Sequence, residues 1–179
     1  TTGNGQAIVL VHGFGEDSRI WDKQVAALKQ FARIIIPDLP GTGRSQPDPA
    51  VSMESMADGI AAILSTEKVE KAILIGHSMG GYITLAFAEK YPELLTAFGL
   101  VHSTAFADTE QKKNSRDKSI EFIRQHGTAV YLESTTQNLF APKNRPLMDK
   151  TIHYLATSNA YILPGTLISF LEAMIKRKD

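Results

Sequence analysis

The chain predicts an α/β fold in three layers, a parallel sheet covered by helices on both faces, with a run of further helices after it. Three observations lead there: four short apolar runs rich in β-branched residues, helical patterns between them, and a change of texture after Thr104. The runs are Ala7 to Val11 (AIVLV), Ala32 to Pro37 (ARIIIP), Lys71 to Gly76 (KAILIG) and Ala97 to His102 (AFGLVH). They are continuous rather than alternating, which suits strands buried on both faces. Strand alternating with helix is the βαβ arrangement.

The first helix is expected from an N-cap at Asp17 or Ser18, with Trp21, Val25 and Leu28 forming one apolar stripe. A second follows Ser52 and sets Met53, Met56, Ile60 and Ile63 against the sheet. A third begins at Ser78, runs through Leu85 to Lys90, and stops at Tyr91 because Pro92 disfavours helical geometry in the residue before it. Residues 109–179 show no strand pattern. They carry four helical stretches, Glu110 to Gln125, Ala129 to Asn138, Pro146 to Thr157 and Gly165 to Arg177, separated at HGT and LPGT. Residues 1–105 therefore read as a core and residues 106–179 as a helical cap or lid.

Composition narrows the partners. With 43% hydrophobic and 21% charged residues among 179, the chain has the make-up of a globular domain. Nineteen Lys and Arg balance nineteen Asp and Glu, so no net charge holds a nucleic acid or an anionic membrane. There is no cysteine for a disulfide or a thiolate metal site. No apolar stretch reaches the ~18 to 20 residues of a membrane span and no signal-peptide pattern opens the chain, so a soluble, cytoplasmic protein is expected. Neither a metal nor an organic cofactor is expected: H-E-x-x-H, carboxylate clusters at ligand spacing and the dinucleotide fingerprint are all missing.

Three motifs carry the chemistry. HGFG, His12 to Gly15, follows the first strand; its small residues let backbone amides approach a ligand, though a tight turn accounts for it equally well. DLPGTGRS, Asp38 to Ser45, follows the second strand and reads as a structural loop held by Asp38 or Arg44. It lacks the lysine and spacing of a phosphate loop. GHSMG, Gly76 to Gly80, fits G-x-S-x-G between a strand and a helix, the context in which a serine occupies a sharp turn with its hydroxyl above the sheet. Gly76 and Gly80 leave room for that turn. The amide after the serine then points from a helix N-terminus at any oxygen gaining negative charge.

With these motifs in this order the chain resembles the α/β-hydrolase superfamily, in its serine esterase and lactonase-like branch, over about Gly3 to Thr104. The resemblance implies Ser78 as nucleophile, an oxyanion hole from the amides of Phe14 and Met79, and Gly13, Gly76 and Gly80 as motif residues. His12 and His77 would support loops, and neither would be the general base. It further implies attack of Ser78 on the carbonyl of a small apolar acyl substrate, an acyl-enzyme, and release by water. Aromatic and aliphatic side chains of the cap, among them Phe106, Tyr131, Leu139, Tyr154, Tyr161 and Phe170, suggest an apolar cleft, although helical spacing fits packing as well.

The family's triad runs serine, acid, histidine, with the last two beyond the cap. Neither loop pattern is present, so the chain is expected to be a piece of a hydrolase, with TTGNGQ as the tail of a preceding hairpin and the sheet incomplete. Asp108 lies where some lipases place the acid, but no base faces it. His102, at the end of the fourth strand, is the one histidine with a candidate lesser role in catalysis. The family's strand order, second, first, third, fourth, leaves residues 97–102 at an open edge, which implies a homodimer, a domain swap or pairing with a missing C-terminal fragment. Two functions stand against each other: a serine hydrolase that is nearly inactive in this form, and a non-catalytic small-molecule-binding module of the same fold.

Overall fold

The computed structural model describes residues 1–179. Four parallel strands form one sheet in the order β2-β1-β3-β4, with β1 at Ala7–Val11, β2 at Arg33–Ile35, β3 at Ala72–His77 and β4 at Leu95–Val101. This is the order the resemblance implied. β1 is central, pairing Ala7 with Arg33 on one side and with Ala72 on the other. The chain leaves β1 for one neighbour and later returns to its other side as β3. The carboxyl ends of β1 and β3 therefore flank a topological switch point, where open α/β sheets leave a crevice for ligands.

The strand limits shift from expectation for local reasons. β2 is shorter than Ala32 to Pro37, and Pro37 has no N–H to give the ladder. β4 begins two residues before Ala97 and ends before His102, whose backbone turns to φ 47°. On the outer side of β2, Thr2 makes an antiparallel bridge to Ile34.

Helices cover the sheet unequally. A 3-10 turn, Ser18–Trp21, leads into α1, Asp22–Leu28, with Asp17 accepting from the Arg19 amide at its start. On that face the buried set is small: Leu10, Trp21, Ala32 and Ile34, with Val25 and Leu28 packed against them. The other face carries α2, Met53–Thr66, and α3, Met79–Lys90. Ser52 caps α2 through a reciprocal pair of bonds with Ser55, 2.8 and 3.0 Å long. The buried stripe of α2 is Met53, Met56, Ala57, Ile60 and Leu64; Ile63, expected to face the sheet, is only half-buried at its margin.

After β4 the chain is helical. α4 spans Glu110–Thr136 but breaks at Gly127, φ 78° and ψ 175°, so it is two helices meeting at the HGT break. Short 3-10 turns at Gln137–Leu139 and Pro142–Leu147 precede α5, Asp149–Ser158, and α6, Pro164–Lys176. α6 is no loose flap. Leu167, Phe170, Leu171 and Met174 are buried in the same cluster as β1, α2 and α3, and burying such a side chain stabilises by about 1.5–3 kcal/mol. No helix is long and apolar enough to cross a membrane.

Candidate active site

Ser78 sits between β3 and α3 with φ 51° and ψ −116°, in the left-handed half of backbone space that a residue with a side chain seldom enters. Such a conformation costs about 1–3 kcal/mol and persists only where its surroundings impose it. Here they do. The Ser78 amide donates to the Val101 carbonyl at 2.9 Å, and the Ser78 carbonyl accepts from the Gly81 amide at 3.0 Å and from the Ser103 hydroxyl at 2.8 Å. A Cβ on Gly76 would run into the Gly80 carbonyl and the Gly81 amide, and one on Gly80 into the carbonyl oxygens of Val11 and His12. The two glycines thus let strand, turn and helix close on each other. The Ser78 hydroxyl makes no capping bond to α3, and the Met79 amide opens that helix, where unpaired N–H groups and the helix dipole favour negative charge.

The HGFG loop is fixed from below by His12. Its ring is fully buried; Nδ1–H donates to the Gly13 carbonyl at 2.9 Å, and Nε2 accepts from the Leu39 amide at 3.0 Å with the Thr42 hydroxyl also 3.0 Å away. Burial pushes its pKa below the usual imidazole range. Both nitrogens are spent on joining the loop after β1 to the loop after β2. That second loop is tied by Asp38, which accepts from the amides of Ser18 at 3.1 Å and Arg44 at 3.0 Å.

His77 points its Nδ1–H at Glu16 Oε2, 2.9 Å away. The Glu16 hydrogen bond raises the His77 pKa, against the lowering effect of partial burial. The rings of Trp21 and His102 stand edge-on to that of His77, with centroids 6.5 and 6.4 Å distant. His102 itself is exposed.

Asp108 has a different place from the one its position after β4 offered. Its carboxylate is buried and paired with Arg116 and, at 3.1 Å, with Arg177, whose guanidinium also lies 3.7 Å over the Tyr82 ring. Burial alone would raise the Asp108 pKa, but the two guanidiniums outweigh it and hold it below the usual carboxylate range. This triad joins the start of the helical segment to its end.

The helical segment meets the HGFG loop at a cleft of about 170 Å³ whose lining includes Phe14, Glu16, Tyr131, Leu132, Leu139 and Leu155. Phe14 and Tyr131 make an edge-on pair 6.1 Å apart. Among the apolar residues considered for a cleft, Tyr131 and Leu139 line this one, Phe170 is core, and Phe106 and Tyr154 face solvent. Tyr161 serves as a tie: its hydroxyl accepts from the Gly43 amide at 2.6 Å and donates to Asp17 at 3.0 Å. Sequence reasoning missed Glu16 and Ser103, and it offered Tyr161 for an apolar cleft rather than as a tie between loops. Only Glu16 left a signal, since an acidic residue three positions after Gly13 has the spacing of a carboxylate reaching back to an amide.

A strained serine turn at a switch point of a parallel sheet, with a glycine loop beside it, defines the architecture of an α/β hydrolase. Residues 6–166 match the family described as alpha/beta hydrolase fold, and the chain belongs to that family. It is 29% identical over 179 residues to 3-oxoadipate enol-lactonase 1 of Acinetobacter baylyi, covering 98% of this chain and 66% of that protein. A thermophilic esterase from Thermogutta terrifontis superposes with a TM-score of 0.90 at 31% identity, over 99% of this chain and 66% of the other. The enol-lactonase from Burkholderia xenovorans LB400 shares the fold, with a TM-score of 0.87 at 22% identity, over 98% and 67% of the two chains. The chain spans from 29% to 66% of the length of the curated relatives it matches.

Proposed function

We propose that this chain carries the nucleophile and oxyanion portion of a serine acyl hydrolase acting on small apolar esters or lactones. The observation that carries the reading is the positive-φ turn at Ser78 with the Met79 amide at the head of α3. In the proposed reaction Ser78 Oγ bonds to the substrate carbonyl carbon as its proton passes to solvent water, which later returns a proton to Oγ when the acyl group leaves. The amides of Met79 and Phe14 take the developing oxyanion. Its collapse breaks the bond to the leaving oxygen, which takes up a proton, and water then cleaves the acyl–Oγ bond. His12, Gly13, His77, Gly76 and Gly80 hold the turn and the loop, and His102 touches the site only through His77. The esterase and lactonase names of the relatives support the choice of substrate class.

The histidines that flank the turn have other employment. His12 has both ring nitrogens bonded and His77 gives its Nδ1–H to Glu16. With neither of these imidazoles free to activate Ser78, turnover is expected about 10⁴- to 10⁶-fold below that of a complete triad. Hydrolysis of p-nitrophenyl acetate, compared with Ser78→Ala, checks this; Ser78-dependent turnover at ordinary enzyme rates contradicts it. The same commitments favour a second reading, a binding module that keeps the turn and cleft without catalysis.

We also propose that the open edge of β4 pairs with the same edge of a second copy. Thr96, Ala97 and Phe98 are exposed there, Phe98 by 49%, and an apolar edge strand recruits another. Size-exclusion chromatography with light scattering is expected to give a dimer, and a stable monomer would count against the pairing.

A further inference from the structure

One carboxylate oxygen joins the two halves of the proposed oxyanion site. Glu16 Oε2 accepts from the Gly13 amide at 2.8 Å and from His77 Nδ1–H at 2.9 Å. The β1–β3 ladder ends where Val11 pairs with Gly76, and beyond it the two segments diverge into separate turns. Gly13 lies two residues past that last rung on one side and His77 one residue past it on the other, so the Glu16 bridge cross-links the strands just where backbone pairing gives out. The bridge also accounts for a glycine. A Cβ on Gly13 would stand 2.8 Å from Glu16 Oε2 and 3.0 Å from His77 Nδ1, so admitting one would require the bridge to shift. Gly13, Glu16 and His77 are interlocked, and the residues one position further along, Phe14 and Ser78, are those whose relative placement the proposed chemistry needs.

We propose that Glu16 is a positioning residue, whose carboxylate straps the loop after β1 to the turn after β3 and so holds the Phe14 amide and the Ser78 hydroxyl in one geometry. The inference rests on the acyl-hydrolase reading of Ser78. Around His77 the remaining ring neighbours are Trp21 from the 3-10 turn and His102 from the end of β4, both edge-on contacts, so Glu16 is the side chain that anchors this imidazole by a hydrogen bond. A charge-assisted bond of this kind is stronger than a neutral one, and a small displacement of a reacting geometry costs rates of about 10²-fold.

The test monitors formation of the acetyl adduct on Ser78 from p-nitrophenyl acetate by mass spectrometry, together with hydrogen exchange of the Gly13 amide and the NMR titration of His77. Glu16→Ala is expected to slow acetylation roughly 10²-fold, expose the Gly13 amide to exchange and lower the His77 midpoint. Glu16→Gln keeps an oxygen able to accept both bonds but no charge; it is expected to retain most of the rate and the Gly13 protection while the His77 midpoint still falls. Acetylation of Glu16→Ala at the parent rate overturns the proposal, as does an equal loss of rate in both variants. If Glu16→Ala does not fold, Glu16→Gln decides: a near-parent rate with Gly13 protected supports the strap, and loss of either overturns it. If the parent itself forms no Ser78 adduct, the acyl-hydrolase reading fails. The strap is then judged on exchange alone, supported if Gly13 loosens in Glu16→Ala and overturned if it does not.

Discussion

β3 and β4 lie side by side, carry apolar runs of similar length, and each is followed at once by a residue other than glycine with positive φ, Ser78 at 51° and His102 at 47°. Their surroundings differ. β3 is paired on both sides and every second residue is buried, whereas β4 is an edge strand with its middle exposed. Ser78 is pinned by backbone bonds on both of its peptide groups and by two glycines that leave no slack. His102 packs edge-on to His77 and is otherwise open to solvent. Left-handed backbone is thus not a site by itself. At Ser78 neighbouring structure over-determines it, and the proposed chemistry uses the hydroxyl so presented.

The difference can be pressed from the side of β4. Beyond that strand, alongside the apolar packing of α6, a buried ion cluster ties the start of the helical segment to its end. Asp108→Ala leaves Arg177, nearly buried, and Arg116 without their carboxylate, and losing one member of a buried ion pair costs about 3–5 kcal/mol. Urea denaturation is the measure. In acid the sign is fixed by the lowered native pKa of Asp108. Its contribution is fully present above about pH 4, the unfolded aspartate value, and is lost as pH falls through the native value. A variant with Asp108→Asn is therefore expected to lose less stability than the parent on going from pH 5 to pH 2.

A smaller effect is expected on the β3 side. Gly80→Ala drives a methyl group at the carbonyl oxygens of Val11 and His12, an overpacking worth about 1–3 kcal/mol, and it is expected to reduce Ser78 reactivity more than that loss of stability explains. The smallest effect belongs to His102→Gly. Relief of left-handed strain and the greater freedom of an unfolded glycine are each about 1 kcal/mol and opposed, so stability is expected to move by less than about 1 kcal/mol. A large loss there would mean that His102 is held as tightly as Ser78 and would dissolve the comparison.

Much of this was legible in the sequence, for identifiable reasons. The strands could be read because AIVLV and AILIG are continuous apolar runs, and the turn because glycines two before and two after Ser78 report a close approach that only they permit. The break at Gly127 was visible in HGT, and α6 in the helical stretch from Gly165 after LPGT, though not which of its residues are buried. Side chains that act across the fold were not visible. Glu16 meets His77 across 61 positions, Tyr161 meets Asp17 across 144 and Arg177 meets Asp108 across 69. No local pattern marks such partners, because their pairing exists only once the sheet has brought the loops together. Asp108 shows the risk in reading position alone: a carboxylate after a strand is offered to catalysis by the sequence and given to two arginines by the fold.

Everything turns on whether the bend at residue 78 makes an acyl acceptor of its hydroxyl. Peptide mapping after exposure to a fluorophosphonate probe asks this directly, since amides facing an oxyanion retain about 10³- to 10⁴-fold acceleration over water even without a base. The account predicts slow, saturable modification at Ser78 that disappears in Ser78→Ala and survives His102→Ala. An unmodified Ser78 in folded protein, or modification spread over the other serines at equal rates, would contradict it.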